Sequence, residues 1–234
     1  MEITRHALFP VLVGEAFNEN HEDMKQQLEN AAMNHLDGNG LSNERTGHVD
    51  LHLDPAFSGL MKFVTLAAKE YIATHMFHPD TFDFNIVKTW MNIIKDEGNP
   101  RHAHADAHLS FCYYINVPDD ANTGITFHNY TDRIEPFPGC ILHNNPQEWN
   151  VFNSYAWSFP VKEGQLLIFP SRLQHHVEGS GDQPKIGVQS IEELSAKRVS
   201  LAGDIVLTYK EKAAKHLGLQ PIQNWRVFTT DPLQ

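Results

Sequence analysis

The sequence predicts an α+β protein in which N-terminal helices pack against a β-rich core. Through the first 75 residues, apolar residues recur at spacings of three and four, which is the pattern of helices with one buried face. From about Phe82 onward the chain changes to short β-like runs separated by Gly, Pro and Asn. Eight such runs favour a double-sheet jelly roll or a barrel, with the helices on the outside of one sheet.

Two N-terminal segments have the helical pattern. Residues 18–36 form the first and residues 55–73 the second, which has Phe57 and Leu60 on one side. A Gly- and Asn-rich turn separates the two segments. We therefore expect residues 1–80 to be mainly helical support for the core.

The β-rich part of the chain follows. The predicted strands are residues 81–94, 109–117, 124–128, 156–159, 165–169, 175–178, 186–191 and 198–209. They assign residues 81–210 to the core and leave residues 211–234 as a tail, in which a short helix over 211–217 ends at Gly218. We expect a single domain over residues 1–234.

Composition and charge restrict the class of protein. The chain is 41% hydrophobic and 20% charged, as ordinary globular domains are. A formal net charge of −11 without a run of Lys or Arg disfavours duplex nucleic acid as a partner.

The two cysteines, Cys112 and Cys140, do not suggest a disulfide framework. There is no secretory-signal pattern and no apolar run near the roughly 20 residues that cross a bilayer. We expect a soluble, cytoplasmic protein without a membrane partner.

The segment 101–108 carries the strongest chemical signal. Its sequence, Arg-His-Ala-His-Ala-Asp-Ala-His, places His102, His104, Asp106 and His108 at every second position. In an extended chain these side chains share one face. Four crowded ionisable groups would be costly to bury without a cation, so the row predicts a metal site.

Two imidazoles and one carboxylate on one side of a metal are the arrangement of non-haem Fe(II) oxygenases. His104 and Asp106 supply a His-x-Asp pair, and His175 or His176 supplies the third ligand about seventy residues later. His102 paired with His104, without a carboxylate, is the competing assignment. The ligand types also suit Zn(II) or Mn(II), but this separation differs from the His-Glu-x-x-His helix of zinc proteases.

Several stretches of the chain carry a resemblance to a known family: residues 7–10, 89–92, 98–104, 109–118, 164–175 and 198–205. The most specific combination is a His-x-His followed by Leu-Ser and a Tyr-rich strand, then Phe-Pro-Ser with a downstream His. On these motifs the chain resembles the oxygenases that depend on 2-oxoglutarate and Fe(II). In particular it is similar to a group common in phage and marine bacterial genomes.

The resemblance implies a double-stranded β-helix core of the jelly-roll or cupin-like type. It also implies Fe(II) as the metal, 2-oxoglutarate as a co-substrate and O2 as the oxidant. Members of the group have a histidine at the place of His175, which selects this residue as the third ligand beside His104 and Asp106.

The resemblance further implies a binding site for 2-oxoglutarate. Arg198 and Ser200 match an Arg-x-Ser pattern whose basic residue holds the distal carboxylate, and an Arg fork suits a carboxylate better than Lys does. Lys185 is the alternative anchor, because it lies nearer the usual offset from the last metal ligand. Tyr114 and Asn92 match inner-strand positions that could donate hydrogen bonds to the co-substrate.

The implied reaction hydroxylates a C–H bond of an unidentified small-molecule or peptidyl substrate and releases succinate and CO2. A phage origin would place it in the host cytoplasm. The alternative is a cupin-like metal-binding module without turnover, which would have no need of Arg198, and a zinc hydrolase is the third possibility.

The long segment 130–155 is expected to cover the metal site. It contains Phe137, Trp149, Phe152 and Tyr155, and aromatic groups in a loop can close over a bound substrate and exclude water.

Overall fold

The computed structural model describes residues 10–36, 50–75, 77–94, 98–118, 124–129, 150–151, 154–178 and 188–226. In these ranges the strands are β1 (Gly14–Phe17), β2 (Phe82–Ile94), β3 (Asn99–His102), β4 (Leu109–Asn116), β5 (Ile125–His128), β6 (Ala156–Phe159), β7 (Gln165–Pro170), β8 (His175–Val177) and β9 (Arg198–Tyr209). The helices are α1 (His21–Asn34), α2 (Ser58–Thr74), α3 (Ile191–Ser195) and α4 (Glu211–His216).

The strands form two sheets in which every neighbouring pair is antiparallel. The larger sheet has five strands in the order β1-β7-β4-β9-β2, and the smaller has four in the order β3-β8-β5-β6. Apart from β5 and β6, neighbouring strands are not consecutive in the chain, as in a jelly roll rather than a meander. The predicted α+β class with a double-stranded β-helix core is confirmed.

Side-chain alternation along β4 separates two apolar cores. Cys112 and Tyr114 point between the sheets, where they join Phe127 of β5 and Phe169 of β7. Tyr113 points to the opposite face and joins the core under the helices. The five-stranded sheet is therefore buried on both faces, which explains why every residue of β4 is buried.

The helices α1 and α2 cover the outer face of the five-stranded sheet. Leu28 of α1 and Leu60 of α2 are fully buried there, together with Phe57, which precedes α2. Burying such a side chain contributes about 1.5–3 kcal/mol, which stabilises the sheet that carries the site. The prediction of helical support on one sheet is confirmed, although α1 and α2 are shorter than predicted. None of the helices in the described ranges is long and apolar enough to cross a membrane.

The structure contradicts the predicted strand over 186–191 in its described part. Ile191 begins α3, whose N-cap Ser190 accepts a hydrogen bond from the backbone N–H of Glu193. A Ser followed three residues later by Glu is a helix-start signal, and it outweighs the β-branched residues of this segment.

Two strands were not predicted from the sequence. Both β1 and β3 have four residues and lie at sheet edges. Pro100 within β3 lacks a backbone N–H, which an edge strand tolerates. At the other end of the chain, α4 ends before Gly218, whose φ of 71° is the left-handed conformation expected of a helix stop.

Candidate active site

Three imidazoles converge at one end of the space between the sheets. His102 ends β3, His104 follows two residues later, and His175 begins β8. Each offers one ring nitrogen, and these nitrogens lie within 4.8 Å of one another. Backbone pairing sets the positions, because His102 is the cross-strand partner of His175 and the N–H of His104 donates to the carbonyl of Ser171 at 2.8 Å.

Hydrogen bonds fix the tautomer of all three rings. Nδ1 of His102 lies 2.6 Å from the carbonyl oxygen of Pro100, and Nδ1 of His175 lies 2.9 Å from that of Leu173. A carbonyl oxygen only accepts, so each Nδ1 carries the proton. Nδ1 of His104 donates likewise, at 2.6 Å, to a carboxylate oxygen of Asp204. With Nδ1 as the donor, Nε2 is the nitrogen through which the neutral form of each ring can bind a metal.

The most buried of these rings is His175, of which 7% is exposed. Burial lowers its pKa from 6.5 to about 4, while the hydrogen bond to Leu173 opposes this shift and the nearby His102 and His104 add to it. His175 is therefore neutral near pH 7, as a metal ligand must be.

Only part of the predicted row of ligands joins the converging group in the structure. Asp106 is exposed and does not belong to the group of converging ligand atoms. Its backbone explains this placement, because β3 ends at His102 and the chain bends at Ala105 and Asp106, so the alternation of an extended strand stops there. His108 is also exposed, and its Nδ1 accepts from the N–H of Leu207 at 3.0 Å.

His176, the alternative to His175, does not join the converging nitrogens. It follows His175 on β8, so its side chain is on the other face of the sheet, where Nδ1 lies 2.7 Å from Nε2 of His128.

One residue of the site was not predicted from the sequence. Asp204 of β9 is 1% exposed and contacts His104, although the two are separated by 100 residues. Alternation along β9 could have found it, since Asp204 is the one acidic residue of the strand on the same face as Arg198 and Ser200.

The four predicted co-substrate residues lie together on the inner side of the five-stranded sheet. Ser200 of β9 is the cross-strand neighbour of both Asn92 on β2 and Tyr114 on β4, and Arg198 is two residues along the same strand. Lys185, the alternative anchor, lies outside the described residues.

Arg198 is a buried cation, two of whose nitrogen atoms lack hydrogen-bond partners among the described residues. It is 1% exposed, and within the described ranges its Nε and Nη1 have no hydrogen-bond partner. Its guanidinium lies 5.0 Å from the ring centre of Tyr114, whose hydroxyl is also buried without a partner among the described residues. Burial raises the pKa of Tyr114 well above its usual value, so the hydroxyl keeps its proton and can donate. Such an arrangement is costly unless an anionic group occupies it.

One cavity connects the imidazoles with this cation. Its volume is about 490 Å³ including its open mouth, and its lining contains all three imidazoles together with Arg198, Ser200 and Asn92. Of the predicted covering segment 130–155, most residues, including Phe137, Trp149 and Phe152, lie outside the described residues. Tyr155 is described and is 46% exposed.

A second group of possible metal ligands is already engaged in hydrogen bonds and an ion pair. His21, Glu22 and Glu163 also bring their ligand atoms within 4.8 Å of one another. Both ring nitrogens of His21 are engaged, by Tyr113 and Glu163, and Lys25 forms an ion pair with Glu163. These contacts attach the start of α1 to the sheet and leave no imidazole nitrogen for a metal.

A protein-family model matches the middle of the chain. Residues 88–188 match the model of a family described as "Putative 2OG-Fe(II) oxygenase". No curated protein matches the sequence.

Solved structures of low sequence identity resemble the chain. An oxidoreductase of the 2OG-Fe(II) oxygenase family from Burkholderia pseudomallei is 12% identical with a TM-score of 0.41, and the match covers 66% of this chain and 59% of that one. The α-ketoglutarate-dependent epimerase SnoN of nogalamycin biosynthesis is 12% identical with a TM-score of 0.48, over 94% of this chain and 88% of that one. A prolyl-4-hydroxylase from Pseudomonas putida is 13% identical with a TM-score of 0.46, over 82% of this chain and 92% of that one.

The matched segment contains β3, β4 and β8, and hence all three converging imidazoles. On this match, residues 88–188 are similar to a family described as 2OG-Fe(II) oxygenases.

Proposed function

We propose that this protein is a Fe(II)- and 2-oxoglutarate-dependent dioxygenase that hydroxylates a C–H bond of a small-molecule or peptidyl substrate. One observation carries the proposal: a single cavity is lined by three imidazoles with free Nε2 atoms and by a buried guanidinium without a hydrogen-bond partner on Nε and Nη1 among the described residues. The first feature suits a divalent metal, and the second suits a carboxylate of the co-substrate.

The metal ligands that the geometry supports best are Nε2 of His102, His104 and His175. Three imidazoles are donors that fit Fe(II), and a metal held by them would keep other positions for co-substrate and oxygen. This set replaces Asp106 with His102, because the Asp106 side chain is exposed while His102 and His175 are cross-strand partners.

The co-substrate would be held by Arg198 and the polar side chains around it. Arg198 would pair with the distal carboxylate, the Tyr114 hydroxyl would donate to the same group, and Ser200 and Asn92 would offer further polar contacts. Bound Fe(II), 2-oxoglutarate and O2 supply the oxidising chemistry, with release of succinate and CO2. The chain itself orients the reactants and keeps them in a cavity between two sheets.

Arg198 also separates this proposal from its two rivals. Three imidazoles are a ligand set of catalytic zinc as well, and a metal-binding module without turnover would need nothing more. Neither rival accounts for a buried guanidinium whose Nε and Nη1 lack a partner among the described residues in the same cavity as the metal site.

Titration of the protein with Fe(II) and 2-oxoglutarate under anaerobic conditions tests the proposal. We expect a visible metal-to-ligand charge-transfer band that saturates at one Fe(II) per chain. Arg198→Met, which removes the cation but retains a long side chain, should raise the 2-oxoglutarate concentration at half-saturation at least 10-fold and leave Fe(II) binding unchanged. A band that is absent from the unaltered protein, or insensitive to Arg198→Met, would contradict the proposal.

The ligand set has its own test. His102→Ala, like His104→Ala and His175→Ala, should lower Fe(II) affinity at least 10-fold, whereas Asp106→Ala should leave it within about 2-fold. Loss of binding in Asp106→Ala with retention in His102→Ala would restore the His-x-Asp pair.

A further inference from the structure

The carboxylate of Asp204 lies directly behind one of the three imidazoles. Its Oδ1 accepts from Nδ1 of His104 at 2.6 Å and from the hydroxyl of Ser110 at 2.7 Å. Ser110 is the cross-strand neighbour of Asp204 on β4, and its hydroxyl lies 3.0 Å from that of Ser171. The carboxylate is thus fixed by two strands and aimed at a single ring nitrogen.

The other oxygen of this carboxylate, Oδ2, differs from Oδ1 in its hydrogen bonding. Asp204 is 1% exposed, and its Oδ2 has no hydrogen-bond partner among the described residues. A buried carboxylate with one unsatisfied oxygen is costly to fold, unless a positive charge close by compensates it. The group on which Asp204 acts is His104, whose free Nε2 belongs to the converging set.

The three imidazoles differ in the charge of the group that accepts a hydrogen bond from Nδ1. His102 and His175 donate to neutral backbone carbonyls, of Pro100 and Leu173, whereas His104 donates to a carboxylate. All three acceptors fix the same tautomer, so the tautomer alone does not require Asp204. What the carboxylate adds is negative charge, which makes the imidazole a more basic ligand.

We propose that Asp204 is a positioning residue that makes His104 the strongest of the three metal ligands. It supplies, through the imidazole, the negative charge that an aspartate ligand would supply directly. The inference rests on the proposed metal site and explains how a site of three neutral ligands can hold a divalent cation tightly. It also accounts for the burial of a carboxylate whose Oδ2 lacks a partner among the described residues, since the compensating charge would be that of the bound metal.

A purely structural role for Asp204 makes a different prediction. If the side chain only linked β4 to β9 through Ser110, a neutral amide of the same shape would disturb the hydrogen bonds to Ser110 and to His104. The metal-free protein would then lose stability. If it acts on the metal, the amide would weaken metal binding and spare the metal-free fold.

The experiment compares Asp204→Asn with the control Ser110→Ala, which removes the hydroxyl donor but leaves the carboxylate on His104. Co(II), whose visible bands report its coordination, is titrated into metal-free protein, and Tm is measured on the same samples without metal. We expect Asp204→Asn to weaken Co(II) binding about 10- to 100-fold and to shift the visible bands, with a metal-free Tm equal to or above that of the unaltered protein. Ser110→Ala should change Co(II) affinity by less than about 3-fold.

The outcomes separate this inference from the function on which it rests. Equal Co(II) affinity in Asp204→Asn and the unaltered protein would overturn the role of Asp204 alone. Loss of the metal-free fold in Asp204→Asn would show that the residue is structural and would overturn it too. Failure of the unaltered protein to bind Co(II) or Fe(II) would overturn both the metal site and the inference.

Discussion

The buried ligand His175 should make the stability of the metal-free protein depend on pH in a defined window. Its pKa falls from 6.5 in the unfolded chain to about 4 in the folded protein, chiefly because burial disfavours the charged ring. Between these values the unfolded chain binds a proton that the folded protein excludes. The stability associated with the neutral ring is therefore complete above pH 6.5 and is lost as the pH falls toward 4.

The magnitude follows from the two pKa values. At about 1.4 kcal/mol per pH unit, the interval from 6.5 to about 4 corresponds to about 3 kcal/mol of unfolding free energy. Because 7% of His175 is exposed, this value needs little reduction for solvent screening. Below about pH 4 the folded protein also binds the proton, so the contribution of His175 should no longer change.

The assay is urea unfolding of metal-free protein at several pH values from 7 to 4, for the unaltered chain and for His175→Gln. Gln does not titrate in this range, so the difference between the two curves reports His175 together with its interaction with His102 and His104. We expect the unaltered protein to lose about 3 kcal/mol more than the variant between pH 7 and pH 4. Parallel curves would refute the reasoning that burial keeps this ring neutral.

Two further predictions concern residues beside the site. Arg198→Met should leave the free energy of unfolding of the ligand-free protein unchanged or raise it by about 1–3 kcal/mol, because it removes a buried cation whose Nε and Nη1 lack partners among the described residues. A loss above about 2 kcal/mol in urea unfolding would indicate a structural partner. Gly203→Ala should destabilise by about 1–3 kcal/mol, since its Cβ would lie 2.6 Å from the ring of Phe111 and 2.7 Å from the carbonyl of Lys88. Gly59→Ala is the matched control in the same assay, because its Cβ would meet the flexible end of a methionine at 3.2 Å, and equal losses in both variants would contradict the packing argument.

Much of the fold could be predicted because its signals are local. The buried strands β4 and β7 each contain a continuous apolar run, and α2 has an apolar face of helical period. The edge strands β1 and β3 could not, because each has four residues and only partial burial, so neither has a pattern that differs from a loop.

The site shows the same division between local and distant signals. The spacing of the histidines predicted His104, and the family resemblance implied Arg198. The choice between Asp106 and His102 depended on where β3 ends and the backbone bends. The contact of Asp204 with His104 depends on the register of β4 against β9, which hydrogen bonds between distant segments determine.

The most direct test of the account is a crystal structure of the protein loaded anaerobically with Fe(II) and 2-oxoglutarate, with anomalous diffraction measured at the iron edge. We expect one iron peak bonded to Nε2 of His102, His104 and His175, with 2-oxoglutarate on the iron and its distal carboxylate on Arg198. An iron peak ligated by Asp106, or 2-oxoglutarate bound away from Arg198, would contradict it.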